Sequence, residues 1–357
     1  MEKEIDFFPM RGTLKKRIEI TIRNKRNDAM KLCMIGMRGH SCYVFESLNE
    51  IPGIELAAVS PGCMEDSPAP LLENAAKCGF SPRVIDDWRE MLDREKPDIL
   101  CIDGKYDLHA EMCVEAARRN IHIFCEKPIA LTLESLDAIE NVLKTSSSKL
   151  VSMVGLRYDP AMYHAHRLVA GGAIGKLKLI YAQKSYRLGT RPDFYKDRAT
   201  YGGTIPWVGS HALDWIMWFA DSGFASVAAT QTSEDNFGNG SMEIAAQAIF
   251  TMKSGALAEA SIEYLRPAAA PSHGDDRVRI AGTSGVIEVR DGHIILIDAA
   301  GQRSIEPDVP DRKIFSDFVF GLEGRRECLV DTRQSLDLTR ACLLTRQAAD
   351  DGAILRF

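Results

Sequence analysis

Between residues 30 and 155, short apolar runs alternate with amphipathic stretches. Lys31–Ile35, Ile54–Val59, Asp98–Ile102, Ile121–Cys125 and Leu150–Val154 read as strands. Tyr43–Leu48, Asp86–Arg94, Leu108–Arg119 and the stretch from Thr132 to Leu143 read as helices, with Thr132 as an N-cap. Strands alternating with helices predict a mostly parallel, doubly wound sheet. After Gly155 the rhythm changes. Pro160–Val169 reads as a helix and Leu177–Tyr186 as a long strand. Strands follow at Ala225–Thr232, Glu243–Thr251, Ala256–Glu263, Arg277–Ala281, Gly285–Arg290 and His293–Asp298, several joined by glycine turns. Hairpin spacing of this kind predicts an antiparallel sheet. Helices near Ile314–Leu322 and Thr332–Ala349 close the chain.

The chain therefore divides into a basic extension over 1–29, an α/β domain over 30–155 and an α+β domain with a large open antiparallel sheet over 156–357. Arg17–Ile22 alternates and reads as an added strand or as part of a loose tail. An open sheet face that its own helices leave bare predicts a homodimer or homotetramer.

Composition narrows the class. The 357 residues are 45% hydrophobic and 26% charged, which suits a globular protein of about two domains. A net charge of −6 argues against nucleic acid or an anionic membrane as partner. Nine cysteines without a C-x-x-C pair indicate reduced, buried thiols rather than a disulfide framework. No apolar run is long enough for a bilayer and no signal-peptide pattern opens the chain, so a cytoplasmic protein is expected.

The first strand runs directly into Gly36-Met37-Arg38-Gly39-His40-Ser41, then a helix and a second strand. This is the βαβ unit of a Rossmann domain, whose glycine turn and helix N-terminus receive a dinucleotide pyrophosphate. Against G-x-G-x-x-G, Arg38 and Ser41 replace the second and third glycines, so the motif alone is weak. Gly36, Met37, Arg38, Gly39 and His40 are the candidate cofactor residues. Ser60 ends the second strand where an acid favours NAD and a neighbouring base favours NADP. Neither is adjacent, and the cofactor stands open between NAD and NADP.

Two stretches carry candidate chemistry. Ile121–Cys125 is cut short by Glu126-Lys127-Pro128, which places a lysine at the carboxyl end of a buried strand, where open α/β sheets hold ligands. The proline suits a cis bond, and the pair also suits an ordinary surface turn. Further on, Gly202-Gly203-Thr204-Ile205-Pro206-Trp207-Val208-Gly209-Ser210-His211-Ala212-Leu213-Asp214 leads into an apolar helix. His211 and Asp214, three apart, share a face, either as a site or as a core histidine with a carboxylate partner. His164 and His166 have no third ligand cluster beside them and read as helix surface; no metal site is expected. His109, at a helix start, reads as structural.

Taken together, the glycine turn, Glu126-Lys127-Pro128 and Gly209-x-His211-x-x-Asp214 resemble the glucose–fructose oxidoreductase and inositol dehydrogenase (Gfo/Idh/MocA) family over residues 30–357. Arg277–Gly285 is similar to a further family segment. The resemblance implies NAD(P)-dependent oxidation of a hydroxyl on a sugar, cyclitol or related polyol, with Lys127 and His211 as the acid–base pair. It implies cofactor contacts from Glu126 and Lys127 and substrate contacts from Lys127, Trp207, His211, Asp214 and Tyr195. The chain departs from the family at two places. Trp207 stands where an Asp is frequent, and Gly104-Lys105-Tyr106 replaces a Thr-Pro-Asn turn. Redox-neutral glycoside cleavage with a recycled cofactor, a non-catalytic nucleotide sensor and a structural oligomer are the alternatives. Fold-level likeness leaves the substrate unnamed.

Overall fold

The computed structural model describes residues 29–357. The basic extension, where Arg17–Ile22 was expected as an added strand or part of a loose tail, lies outside them apart from Ala29. The first sheet contains β1 (Met30–Ile35), β2 (Ile54–Ser60), β3 (Arg83–Val84), β4 (Ile99–Ile102), β5 (His122–Cys125) and β6 (Leu150–Ser152). Their order is β3-β2-β1-β4-β5-β6, with every pairing parallel. That is the Rossmann order. The central strands are buried on both faces, which is why β1 and β4 read as unbroken apolar runs.

Five helices flank this sheet: α1 (Cys42–Phe45), α2 (Ala69–Lys77), α3 (Trp88–Glu95), α4 (His109–Arg118) and α5 (Leu133–Leu143). Thr132 caps α5, accepting from the Ser135 amide in a capping box. Helix α2 was not anticipated, because Pro68 and Pro70 suggest a loop. Both fall at its start, where a missing N–H costs nothing.

The second sheet has nine strands: β7 (Leu177–Arg187), β8 (Phe224–Thr232), β9 (Ala245–Met252), β10 (Leu257–Arg266), β11 (Arg277–Gly282), β12 (Gly285–Arg290), β13 (His293–Asp298), β14 (Gly301–Ile305) and β15 (Leu355–Arg356). Their order is β14-β13-β12-β11-β7-β10-β9-β8-β15. The expected purely antiparallel sheet is corrected in one place: β7 pairs parallel with β10. The long connection after β7 permits this, since it carries α7 (Arg198–Tyr201) and α8 (Ser210–Ala220) before the chain returns to the sheet.

One face of this sheet packs against α6 (Pro160–Ala170), α8 and α10 (Thr332–Asp351), while α9 (Ile314–Leu322) lies against α1. The other face carries exposed Leu179, Ile249 and Leu257. Helix α10 also ties the sheets together, because Thr332 and Ser335 accept from the amides of Leu150 and Ser152 on β6. The carboxyl ends of β4 and β5 thus face the start of α8.

Candidate active site

Strand β5 delivers Glu126 and Lys127 into the buried seam between the sheets, and the Lys127–Pro128 bond is cis. His109 bridges this turn to the end of β4, lying 2.9 Å from the Pro128 carbonyl and 3.2 Å from that of Gly104. The Lys127 amine lies 3.5 Å from Glu126 Oε1. Burial pulls its pKa down to about 8, against the opposing pull of Glu126 and with help from Lys184. Burial also works against an ionised Glu126. His40 and Lys127 beside it win and hold its carboxyl below the ordinary range. His40 Nδ1 is 3.0 Å from Glu126 Oε1, and its side chain is 32% exposed.

The chain enters α8 through a π-helical turn over Ile205–Gly209. Such turns displace side chains from regular helical positions. Trp207 lies on it, with its indole over the Lys127 amine at 3.4 Å from the ring centroid. Tyr106 and Tyr195 pack against Trp207 at 4.8 and 5.7 Å. His211, in the first turn of α8, is buried, and its Nδ1 has no hydrogen-bond partner. Burial holds its pKa well below the usual imidazole value, and the nearby charges of Lys127, Lys184 and His40 add to this. The imidazole is therefore neutral at neutral pH.

The expected substrate role of Asp214 gives way to another contact. Its carboxylate is gripped by the Arg157 guanidinium, with Nη2 at 2.6 Å and Nε at 2.9 Å, and both side chains are buried. His166 is half-buried on its helix and stacks on Trp218 at 4.0 Å. His164 accepts from the Asp308 amide. Among the described residues no group of three or more His, Cys, Asp or Glu side chains is placed to hold a metal.

At the glycine turn, Gly36 has φ +70°, and a Cβ there would meet Gly104 Cα at 2.5 Å. A Cβ on Gly39 would meet the Glu126 side chain at 2.7 Å. These glycines let the turn pack closely on Gly104 and Glu126, at the carboxyl end of β1 beside the switch to β4 where a sheet of this order receives a dinucleotide, and the turn fits one there. Half-exposed Met37 lies at its mouth. The amides of Arg38 and Ser41 point inward, to Asp103 O and Asp103 Oδ2 at 2.8 Å each. The Arg38 side chain makes a two-pronged contact with Asp66, at 2.7 and 2.8 Å. Ser60 is buried, donating to the Asp86 carbonyl and accepting from the Gly62 amide. Its hydroxyl is thus committed within the protein.

Lys184 was not anticipated. It lies on the inward register of β7 with Ile180 and Ala182, and its amine is ion-paired with Asp276. A lysine on the apolar face of an alternating strand was the available signal. Arg157 had none, because it comes from an irregular turn.

Comparison with known proteins agrees with this geometry. Residues 30–155 match the model of an oxidoreductase family with an NAD-binding Rossmann fold, and residues 162–288 match the GFO/IDH/MocA C-terminal domain. Inositol 2-dehydrogenase of Salmonella typhimurium is 23% identical over 194 residues, 54% of this chain and 54% of that protein. The match thus spans about half of that relative. A solved structure from Thermotoga maritima, assigned as an oxidoreductase, is 41% identical, with a TM-score of 0.88 over 92% of this chain and 100% of that one. The fold is also shared with a levoglucosan dehydrogenase in complex with NADH and levoglucosan (17% identity, TM-score 0.78, 92% of this chain and 99% of that one). With its N-terminal NAD-binding Rossmann domain and its matching C-terminal domain, the chain belongs to the Gfo/Idh/MocA family of oxidoreductases.

Proposed function

We propose that the protein is an NAD-dependent dehydrogenase that oxidises a secondary hydroxyl of a sugar or related polyol, with Lys127 and His211 as the proton acceptors. The observation that carries this is a buried amine of lowered pKa near a neutral imidazole whose Nδ1 is unpartnered. A lysine of ordinary pKa, about 10.4, is a weak base at neutral pH, whereas one near 8 is partly neutral there. As the carbinol C–H bond breaks, the hydroxyl proton passes to Lys127 Nζ or to His211, and the carbonyl forms. A nicotinamide cofactor held at the Gly36–Ser41 turn would supply the hydride acceptor for that carbon. Glu126 and His40 then lead the proton outward, because Glu126 touches both Lys127 and the partly exposed His40. Trp207, which stands where the family often has an Asp, offers an apolar face to the substrate ring and keeps water from Lys127.

The end of β2 favours NAD over NADP. Cations around it are already matched: Arg38 by Asp66 at 2.7 Å, Lys105 by Glu65 at 2.8 Å, and Arg83, opposite Ala58 on β3, by Glu95. A 2′-phosphate would find no free base there. The bare outer face of the second sheet supports a homodimer or homotetramer, checked by light scattering.

The test is Lys127→Met, with sugars and polyols screened for NADH formation and NAD and NADP binding measured by calorimetry. Turnover should vanish while NAD binding stays within a few-fold of the parent, and NADP should bind more weakly than NAD. Unchanged turnover in the variant removes Lys127 from the mechanism. A second reading, a nucleotide-binding sensor without catalysis, draws on Trp207 covering Lys127. It predicts NAD binding with no hydride transfer to any polyol.

A further inference from the structure

The groups left unmatched beside this centre are chiefly donors, and two of them are permanently charged. Arg187 ends β7 and Arg191 follows in the loop. Neither guanidinium meets a carboxylate among the described residues, and the Nε of each is buried without a hydrogen-bond partner, while Arg191 Nη2 donates to the Arg187 carbonyl at 3.2 Å and holds the two residues together. Arg191 lies over the Tyr264 ring at 4.8 Å and the Tyr195 ring at 5.5 Å. Tyr195 packs on Trp207, and Trp207 on the Lys127 amine. Arg191 is thus two aromatic rings away from the proposed base. The hydroxyl of Tyr264, a residue only 1% exposed, also lacks a partner.

The acids nearby are committed elsewhere, except that Asp103 keeps an unpartnered Oδ1 beneath the glycine turn, where its Oδ2 accepts from the Ser41 amide. Glu126 serves His40 and Lys127, Glu243 serves Arg198, and Asp275 serves Arg277 and Arg266. Asp276 keeps one unpartnered oxygen, but Lys184 neutralises its charge. A neutral polyol presents hydroxyl donors, which carboxylates and amide oxygens receive best. Guanidinium donors with no carboxylate paired to them suit a ligand that brings the negative charge itself.

We propose that the substrate is a polyhydroxy acid whose carboxylate is received by Arg191, with Arg187 and Tyr264 beside it, while a secondary hydroxyl rests at Lys127 and His211. This rests on the dehydrogenase reading above. The aromatic walls formed by Tyr195, Trp207 and Tyr264 cover the apolar faces of the carbon chain or ring and exclude water from the ion pair.

The experiment separates binding from turnover. Lys127→Met protein, saturated with NAD, is titrated calorimetrically with hexuronates and aldonates, each against its parent hexose or hexitol, and with hexose 6-phosphates. At least one acid should bind about tenfold or more tightly than its neutral parent. Adding Arg191→Met should remove that preference, a loss of about 10–100-fold for a charge-assisted contact. Arg191→Lys, which keeps the charge, should restore part of it and shows that the loss is not misfolding. Equal binding of acid and neutral parent, no binding by any acid, or tighter binding of a phosphate than of every carboxylate overturns the proposal. Acids that bind in this pattern, yet are not oxidised by the unmodified protein with NAD, leave the carboxylate site standing and overturn the dehydrogenase reading instead.

Discussion

His211 and Asp214 sit three residues apart on α8 in opposite kinds of surroundings. Asp214 meets Arg157 through three hydrogen bonds of 2.6–3.1 Å, and Arg157 also donates to the Leu329 carbonyl and to Gln334. Every charged atom there has a partner within the protein, and the contacts tie α8 to the segment leading into α10. His211 is equally buried, but its Nδ1 is bare, and the charges around it oppose its protonation. Burial alone does not distinguish the two, but completeness does. A buried ion pair with all its hydrogen bonds made holds elements together. A buried polar atom left short is a cost that persists where a ligand can meet it.

Replacing each residue should split along that line. His211→Asn removes a proton acceptor and should lower kcat by about 10²–10³-fold, within the range for general-base groups, with little change in Tm. Asp214→Asn leaves a buried guanidinium without its counter-charge and should cost about 3–5 kcal/mol of stability. A denaturant midpoint reads this, and the remaining folded protein should keep its kcat within a few-fold. The contrast breaks if the histidine variant loses stability rather than rate, or if the aspartate variant stays as stable as the parent.

Much of the first domain was legible in the sequence because its signals are local. Parallel strands buried on both faces leave apolar runs, and Thr132 announces its helix through a side-chain cap. In the second domain, Gly285–Arg290, His293–Asp298 and Ile314–Leu322 agree with the expected bounds. What was not legible depends on distant partners. The parallel seam between β7 and β10 depends on strands about eighty residues apart, which no hairpin spacing reports. The i, i+3 spacing of His211 and Asp214 suggested one shared role. It could not reveal Arg157, which lies 57 residues away in sequence and draws the carboxylate aside. The indole over Lys127 was hidden for the same reason, whereas Lys184 stood in plain register on the apolar face of β7.

The pH profile tests whether Lys127 belongs with His211 on the unsatisfied side of the comparison. Its pKa is lowered to about 8, so the neutral amine gains population as pH rises. Oxidation needs the neutral form to accept a proton. kcat for oxidation should therefore climb roughly tenfold per unit below this value and level off above about 8. The reverse reduction, which needs the ammonium to donate, should stay level below about 8 and fall roughly tenfold per unit above it. A profile still climbing steeply beyond pH 9 would mean that the amine keeps its ordinary pKa and that its burial has little effect.

The smallest effect belongs to His40, which reaches Lys127 through Glu126 and otherwise meets the centre only by ring contacts with His211 at 6.2 Å and Trp207 at 6.4 Å. Nδ1 contacts Glu126 Oε1 and Oε2 at 3.0 and 3.1 Å, and the ring stacks on Tyr43 at 5.3 Å. His40→Gln retains a donor toward Glu126 but cannot pass a proton on. It should lower kcat by a few-fold while leaving Tm and substrate KM near the parent values. Added imidazole should recover part of that rate, because the site is open to solvent on the His40 side. Rescue would show that the path through Glu126 carries the proton and that His40 belongs to the reacting side. If KM rises instead, and imidazole changes nothing, His40 only holds Glu126 in place. It would then join Arg157 among the groups whose hydrogen bonds serve the fold.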